Sequence, residues 1–321
     1  MRTLRVSEDL QECKFLWNLL VPQERLFDLW EARACFQKQF SSRLHFLVVE
    51  EMGRPIGLVP LSWMDNLSRF GYFPGETWEG KTWIEQNRIV APDDYVLEML
   101  LDNLPRPIHL RYLTKDSLPS SDIFLDHDEI GYLFYPSDHG YSFPKYLNCF
   151  SGKTRKKIER ELTHLRSFGV RYRYDYPPDV EALFNLNIMK YGPDSYFSDS
   201  RFYEAFERLT NWLREKEMLR ITSVFLGDKL AAVDIGALFN GSYTLLAGGV
   251  HIEFPGVAKL INFHHLEYAC HERLREVDFL CGDFGWKERF HLSSRPLYEI
   301  QLREENQIIF QEEIAKVYEH A

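Results

Sequence analysis

The stretch DFLCGDFGWKERF (278–290) raises the first chemical question. The segment Val277-Asp278-Phe279-Leu280 reads as a buried strand, and it breaks into Gly282, Asp283, Gly285, Trp286 and Lys287. An acid at the C-terminal end of a strand stands where α/β sites gather their ligands, and it can take a proton from a bound group. Lys287 can hold an anion such as a phosphate or a carboxylate, and Trp286 can wall a cleft. The same spacing on a surface helix would give only an ordinary i,i+4 ion pair. A second acid, Asp234, interrupts the apolar strand AAVDIGAL and is a candidate second base. A basic run follows Ser151: Lys153, Arg155, Lys156, Lys157 and Arg160. Such runs are most often solvated helix faces, but this chain is acidic, with 38 basic against 48 acidic residues and a net charge of −10.

Other chemistries find no support. His264, His265 and His271 lack an H-E-x-x-H pattern and a carboxylate at ligand spacing, so packing rather than metal binding is expected of them. The 5 cysteines are scattered without a C-x-x-C pair, which fits a reducing compartment and no zinc site. Cys281 is a small apolar strand residue. SGKT (151–154) lacks the upstream glycine of a phosphate loop. The acidic surface should repel nucleic acid and anionic membrane. No apolar run approaches the roughly 18 residues of a membrane span, and the N-terminus has no signal core. A cytoplasmic protein is expected.

The elements that must position these residues repeat. Residues 218–251 read as a three-strand antiparallel meander with turns at Gly227-Asp228 and Asn240-Gly241. A helix follows Pro255-Gly256, then the strand 277–281. Upstream, Ser151 caps a helix running to about Phe168, with Gly169 behind it. A strand (170–174) and helices at 179–190 and 199–216 come next, and a last strand is expected at 297–303. The first half shows the same outline more faintly: strand, Met52-Gly53 turn and strand within 44–63, a helix at 93–104 and a strand at 107–113. The fold expected is α/β (α+β), in two domains, 1–140 and 141–321.

In serial order, RKKIEREL, VFLGDKLAAVDIG, FPGVAKL and DFLCGDFGWKERF resemble the FemAB / BioF2-like (CelD-type) branch of the GNAT acyltransferase superfamily. The resemblance spans about 145 to 290, and residues 1–140 match in outline. It implies two tandem GNAT-like domains, each a mixed, mostly antiparallel sheet flanked by helices, with the active cleft in the second and a degenerate first. It implies N-acyl transfer by direct attack of an amine, on a small molecule or peptide, on a thioester. Acyl-CoA or another phosphopantetheine carrier would be the co-substrate, with no permanently bound cofactor. An aminoacyl-tRNA-dependent, FemX-like amide-forming transferase is the alternative, and tRNA is a partner only there; a non-catalytic GNAT-like binding protein is a further one.

In GNAT folds two parallel strands splay and pantetheine lies in the gap. Here they would be 243–250 and 277–281. The resemblance then assigns Gly248, Gly249 and Val250 to the carrier, with Gly256, Val257 and Lys259 at the helix start and Lys287 on a phosphate. The family's Arg/Gln-x-x-Gly-x-Gly/Ala loop is replaced by IEFPGVAK. Asp283 and Asp234 would serve as bases. Arg155, Lys156, Tyr191, Tyr196 and Trp286 would shape the acceptor side.

Overall fold

The computed structural model describes residues 1–118, 125–282 and 285–304. In chain order the elements begin β1 (Arg2–Ser7), α1 (Leu10–Leu20), α2 (Trp30–Phe40), β2 (Arg43–Glu51), β3 (Arg54–Met64) and β4 (Arg69–Tyr72). Then come α3 (Asp94–Asp102), β5 (Ile108–Leu113), β6 (Asp126–Phe134), α4 (Phe143–Leu147), α5 (Gly152–Arg166) and β7 (Val170–Tyr174). The chain continues through α6 (Asp179–Tyr191), α7 (Ser200–Glu215), β8 (Leu219–Leu226), β9 (Lys229–Phe239) and β10 (Ser242–Val250). Among the described residues the last elements are α8 (Val257–His271), β11 (Glu276–Asp278) and β12 (Ser293–Leu302).

Two compact units result, and they are not two contiguous halves. Among the described residues, one holds 1–23, 40–118, 125–129 and 296–304; the other holds 24–39, 130–282 and 285–295. Strand order is β1-β2-β3-β4-β5-β12 in the first and β6-β11-β10-β9-β8-β7 in the second. In each, the pairing is antiparallel except for one internal parallel contact, β4 with β5 and β10 with β11. The two orders correspond strand for strand, which is the repeat seen faintly in the sequence.

Local chemistry sets the boundaries. The Ser151 hydroxyl accepts from the Thr154 amide at 3.2 Å and starts α5, which ends at Arg166 ahead of Gly169 at φ 78°. Strand β11 is shorter than the sequence suggests. The Asp278 carboxylate accepts from the amide of Leu280 at 2.9 Å, and Leu280 turns to φ 56°. The chain therefore parts from β10 after Asp278, while on its other side Phe279 N–H and the Leu280 carbonyl still bond to Tyr132 of β6 at 2.9 and 3.2 Å.

The second unit has a layer on each sheet face. On one, Tyr146, Phe150, Ile158, Leu162, Phe263 and Leu266 pack α4, α5 and α8 onto the strands. On the other, Phe206 of α7 meets Phe36 of α2 at 5.6 Å and Phe197 at 5.0 Å between ring centroids. Phe206 is fully buried. Phe206→Ala should therefore lower unfolding free energy by about 3–5 kcal/mol, read as the urea midpoint; an unchanged midpoint would contradict this packing.

Candidate active site

The parallel pair β10–β11 is short. Its register covers Ser242↔Glu276, Tyr243↔Val277 and Thr244↔Asp278 only. Beyond it β10 bulges between Leu245 and Ala247 and continues, paired to β9, as far as Val250. From Leu245 onward β10 thus presents an edge that β11 does not cover, and a bulge there frees backbone groups from the ladder. The open edge is held firmly from behind. A Cβ on Gly249 would lie 2.6 Å from the Leu183 carbonyl oxygen of α6, so only glycine lets helix and strand come this close. Asn187 donates its Nδ2 to the Gly248 carbonyl at 2.9 Å and accepts from the Ser195 hydroxyl at 2.7 Å.

On the opposite face of β10, Gly248 stands across from Asp234. A Cβ on Gly248 would lie 2.4 Å from Asp234 Oδ1. The missing side chain therefore gives the carboxylate its place against the strand. Asp234 Oδ2 is 2.9 Å from Nε2 of His265 on α8. The histidine side chain is 0% exposed and the aspartate side chain 12%. One oxygen of Asp234 is thus fixed by a buried imidazole, while the group keeps a narrow opening. The ring of Tyr243 lies edge-on to His265 at 5.4 Å.

A family model for the acetyltransferase (GNAT) domain matches residues 152–288. Residues 152–288 are a GNAT acetyltransferase domain. That domain makes the protein an acyltransferase. Among solved structures, a conserved protein of unknown function from Bacteroides thetaiotaomicron superposes with a TM-score of 0.58 at 14% identity, covering 94% of this chain and 100% of that one. FemX gives 0.53 at 12% identity, over 96% of this chain and 99% of its own. L-PGS from Bacillus licheniformis gives 0.53 at 9% identity, over 93% of each chain. At these identities the likeness is one of fold. No curated protein matches the sequence significantly.

Within the GNAT domain, Gly248, Gly249 and Val250 lie on the open edge of β10, and Gly256 and Val257 begin α8. Lys259, in the first turn of α8, is ion-paired to Glu161 of α5. Asp234 is joined by His265, whose role the sequence did not disclose: the two are 31 positions apart, and only the packing of α8 on the sheet unites them. Lys287 must be reassigned. It is 3% exposed, and its ammonium donates to the carbonyls of Phe279, Leu280 and Cys281 at 2.9, 2.8 and 2.6 Å. Those bonds use its three hydrogens to hold the turn after β11, so it is not available to a phosphate or an incoming carboxylate.

Trp286 packs edge-on against Phe279 and Phe290. Asp283 lies outside the described residues. Arg155 donates to Asn148 at 2.8 Å, and Lys156 is exposed on α5. Tyr191 is 46% exposed at the end of α6. Tyr196 stacks on Phe206 at 5.6 Å, among the aromatic residues of the α7 face.

Two predictions follow from the α8 face. Gly248→Ala must displace the Asp234 carboxylate, and such overpacking should cost about 1–3 kcal/mol; an undiminished urea midpoint would mean that the carboxylate is not held against the strand. His264, next to the dyad residue, stacks on Tyr172 at 4.1 Å and shares a hydrogen bond with the Tyr174 hydroxyl at 3.1 Å. Burial, then His265 and Arg220, push its pKa down to about 4. The unfolded chain, with an ordinary value near 6.5, binds the proton more readily. This group's share of stability is therefore complete above about pH 6.5 and lost by about pH 4, on the order of 3 kcal/mol. Stability measured across that window should fall with acid, and His264→Phe should flatten the fall; an equal slope in both proteins would contradict the assignment.

Proposed function

We propose that the GNAT domain transfers an acyl group from a phosphopantetheine thioester to an amine of a small molecule or peptide. The observation that carries this reading is the separation of β10 from β11 after three paired residues, with a carboxylate set directly behind the exposed strand at Gly248. An extended, amide-bearing arm is suited to such an edge, because it can hydrogen-bond to backbone groups as an added strand would. The bulge at Leu246 offers amides to the thioester oxygen, whose developing charge needs fixed donors. The start of α8 at Gly256–Val257 follows the end of β10, and the positive end of its dipole would favour the carrier's phosphates there.

In this reading Asp234 receives a proton from the incoming ammonium, and His265 holds the carboxylate in position. The neutral nitrogen attacks the carbonyl carbon, and the C–N bond forms as the carbonyl electrons move onto oxygen. Collapse of that intermediate breaks the C–S bond. The thiolate leaves and takes one proton, the nitrogen gives up its second, and one proton passes to solvent per turnover.

Thermal shift with acetyl-CoA, long-chain acyl-CoA and CoA addresses the donor. At 100 times its dissociation constant a bound donor should add about 2.7 kcal/mol, whereas no stabilisation by any of them would count against the thioester reading. With acetyl-CoA and a panel of primary amines, Asp234→Asn should lower kcat about 10²–10⁴-fold while leaving donor stabilisation in place. Full activity in that variant would remove Asp234 from the mechanism.

A further inference from the structure

The buried side of α5 is Ile158, Leu162 and Leu165. At about 100° per residue, Lys153, Lys156 and Arg160 project from the opposite side, and all three are exposed. The neighbouring cations have local partners: Arg155 bonds Asn148, and Lys157 lies 3.9 Å from Glu161. Lys153, Lys156 and Arg160 have no ion pair or hydrogen bond among the described residues. Their spacing brings like charges together at i,i+3 and i,i+4, which is unfavourable. The first turn of α5 carries no acid, so Lys153 also sits against the positive end of the helix dipole. Glu161 attracts Arg160 through space without forming an ion pair with it, and the chain as a whole has acid in excess, with a net charge of −10.

Position gives this face a use. Glu161 of α5 pairs with Lys259 in the first turn of α8, and Leu165 lies 3.8 Å from where a Cβ on Gly256 would be. The helix that carries the cationic face thus packs on the start of α8, where the donor's carrier would lie, and the face itself looks outward from that helix.

We infer that the donor arrives on a small acidic carrier protein, which docks on the outward face of α5 while its phosphopantetheine arm enters beside β10. This rests on the thioester reading above and names its carrier. The three cations span eight residues, seven steps of helix or about 10 Å along the axis, a match for two turns of a helix with acids at corresponding positions. Nucleic acid is served less well. Arg171 and Arg173 of β7 are already paired with Asp228 and Asp179, and Tyr172 and Tyr174 are stacked with His264. A base would therefore find neither a continuous cationic track nor an open aromatic platform on that edge. The reaction balances as before: the acyl–sulfur bond breaks, the amide bond forms, the carrier leaves with a free thiol, and one proton goes to solvent.

The test titrates the full chain with phosphopantetheinylated acyl carrier protein, the same protein without its arm, free CoA and an RNA hairpin, at low and moderate salt. The triple variant Lys153→Glu, Lys156→Glu, Arg160→Glu is compared with the natural sequence, its fold checked by thermal melting. The expected result is that the armed carrier binds the natural chain at least ten-fold more tightly than the variant, with affinity falling as salt rises, while CoA binds both equally. Equal loss of CoA binding would assign the face to the nucleotide phosphates of CoA and overturn the inference. Binding of RNA in place of the carrier, or carrier affinity indifferent to the three reversals, would overturn it as well. If CoA binds and the armed carrier does not, the carrier inference falls alone; if neither binds, the thioester reading falls with it.

Discussion

A strand that loses one neighbour must either be covered by something else or leave its backbone groups to solvent or a ligand. In the second unit this constraint acts on β10. Its partner β11 is cut short because Asp278 turns its carboxylate onto the amide of Leu280 and onto Arg295, whose guanidinium lies 2.8 Å away. Lys287 then secures the turn through three main-chain carbonyls. Lys287, which in sequence looks equipped for a substrate or carrier anion, instead works with Asp278 to hold the chain where β11 parts from β10.

The first unit repeats the strand order but not this opening. Strand β4, in the place of β10, spans only Arg69–Tyr72, and its register with β5 is the single pair Phe70↔Ile108. Four residues of strand cannot supply the long, one-sided edge that β10 presents over Leu245–Val250. The same topology therefore leaves a long one-sided strand edge in the second unit and a short one in the first.

Much of this was legible in the sequence because local rules govern it. The turns at Gly227-Asp228 and Asn240-Gly241, the cap at Ser151 and the helix after Gly256 depend on neighbours within a few positions, and each is where those residues indicate. The paired glycines at 248–249 stand out in the sequence, but their close approach to α6 and to Asp234 does not. What could not be read was long-range. His265 is one of several histidines until α8 packs and brings it to Asp234. The burial of Lys287 depends on a turn that the strand-like segment Val277–Leu280 conceals. Nothing in local patterning tells that residues 24–39 join the second unit, since that follows from Phe36 meeting Phe202 and Phe206.

The central claim is that the free edge of β10 receives the donor arm. Amide hydrogen exchange with and without acetyl-CoA tests it most directly. The account predicts slowed exchange concentrated at Leu245–Val250 and at the first turn of α8, with the remainder of the second unit little changed. Slowed exchange confined to other elements, with β10 and α8 unaffected while acetyl-CoA is bound, would contradict it.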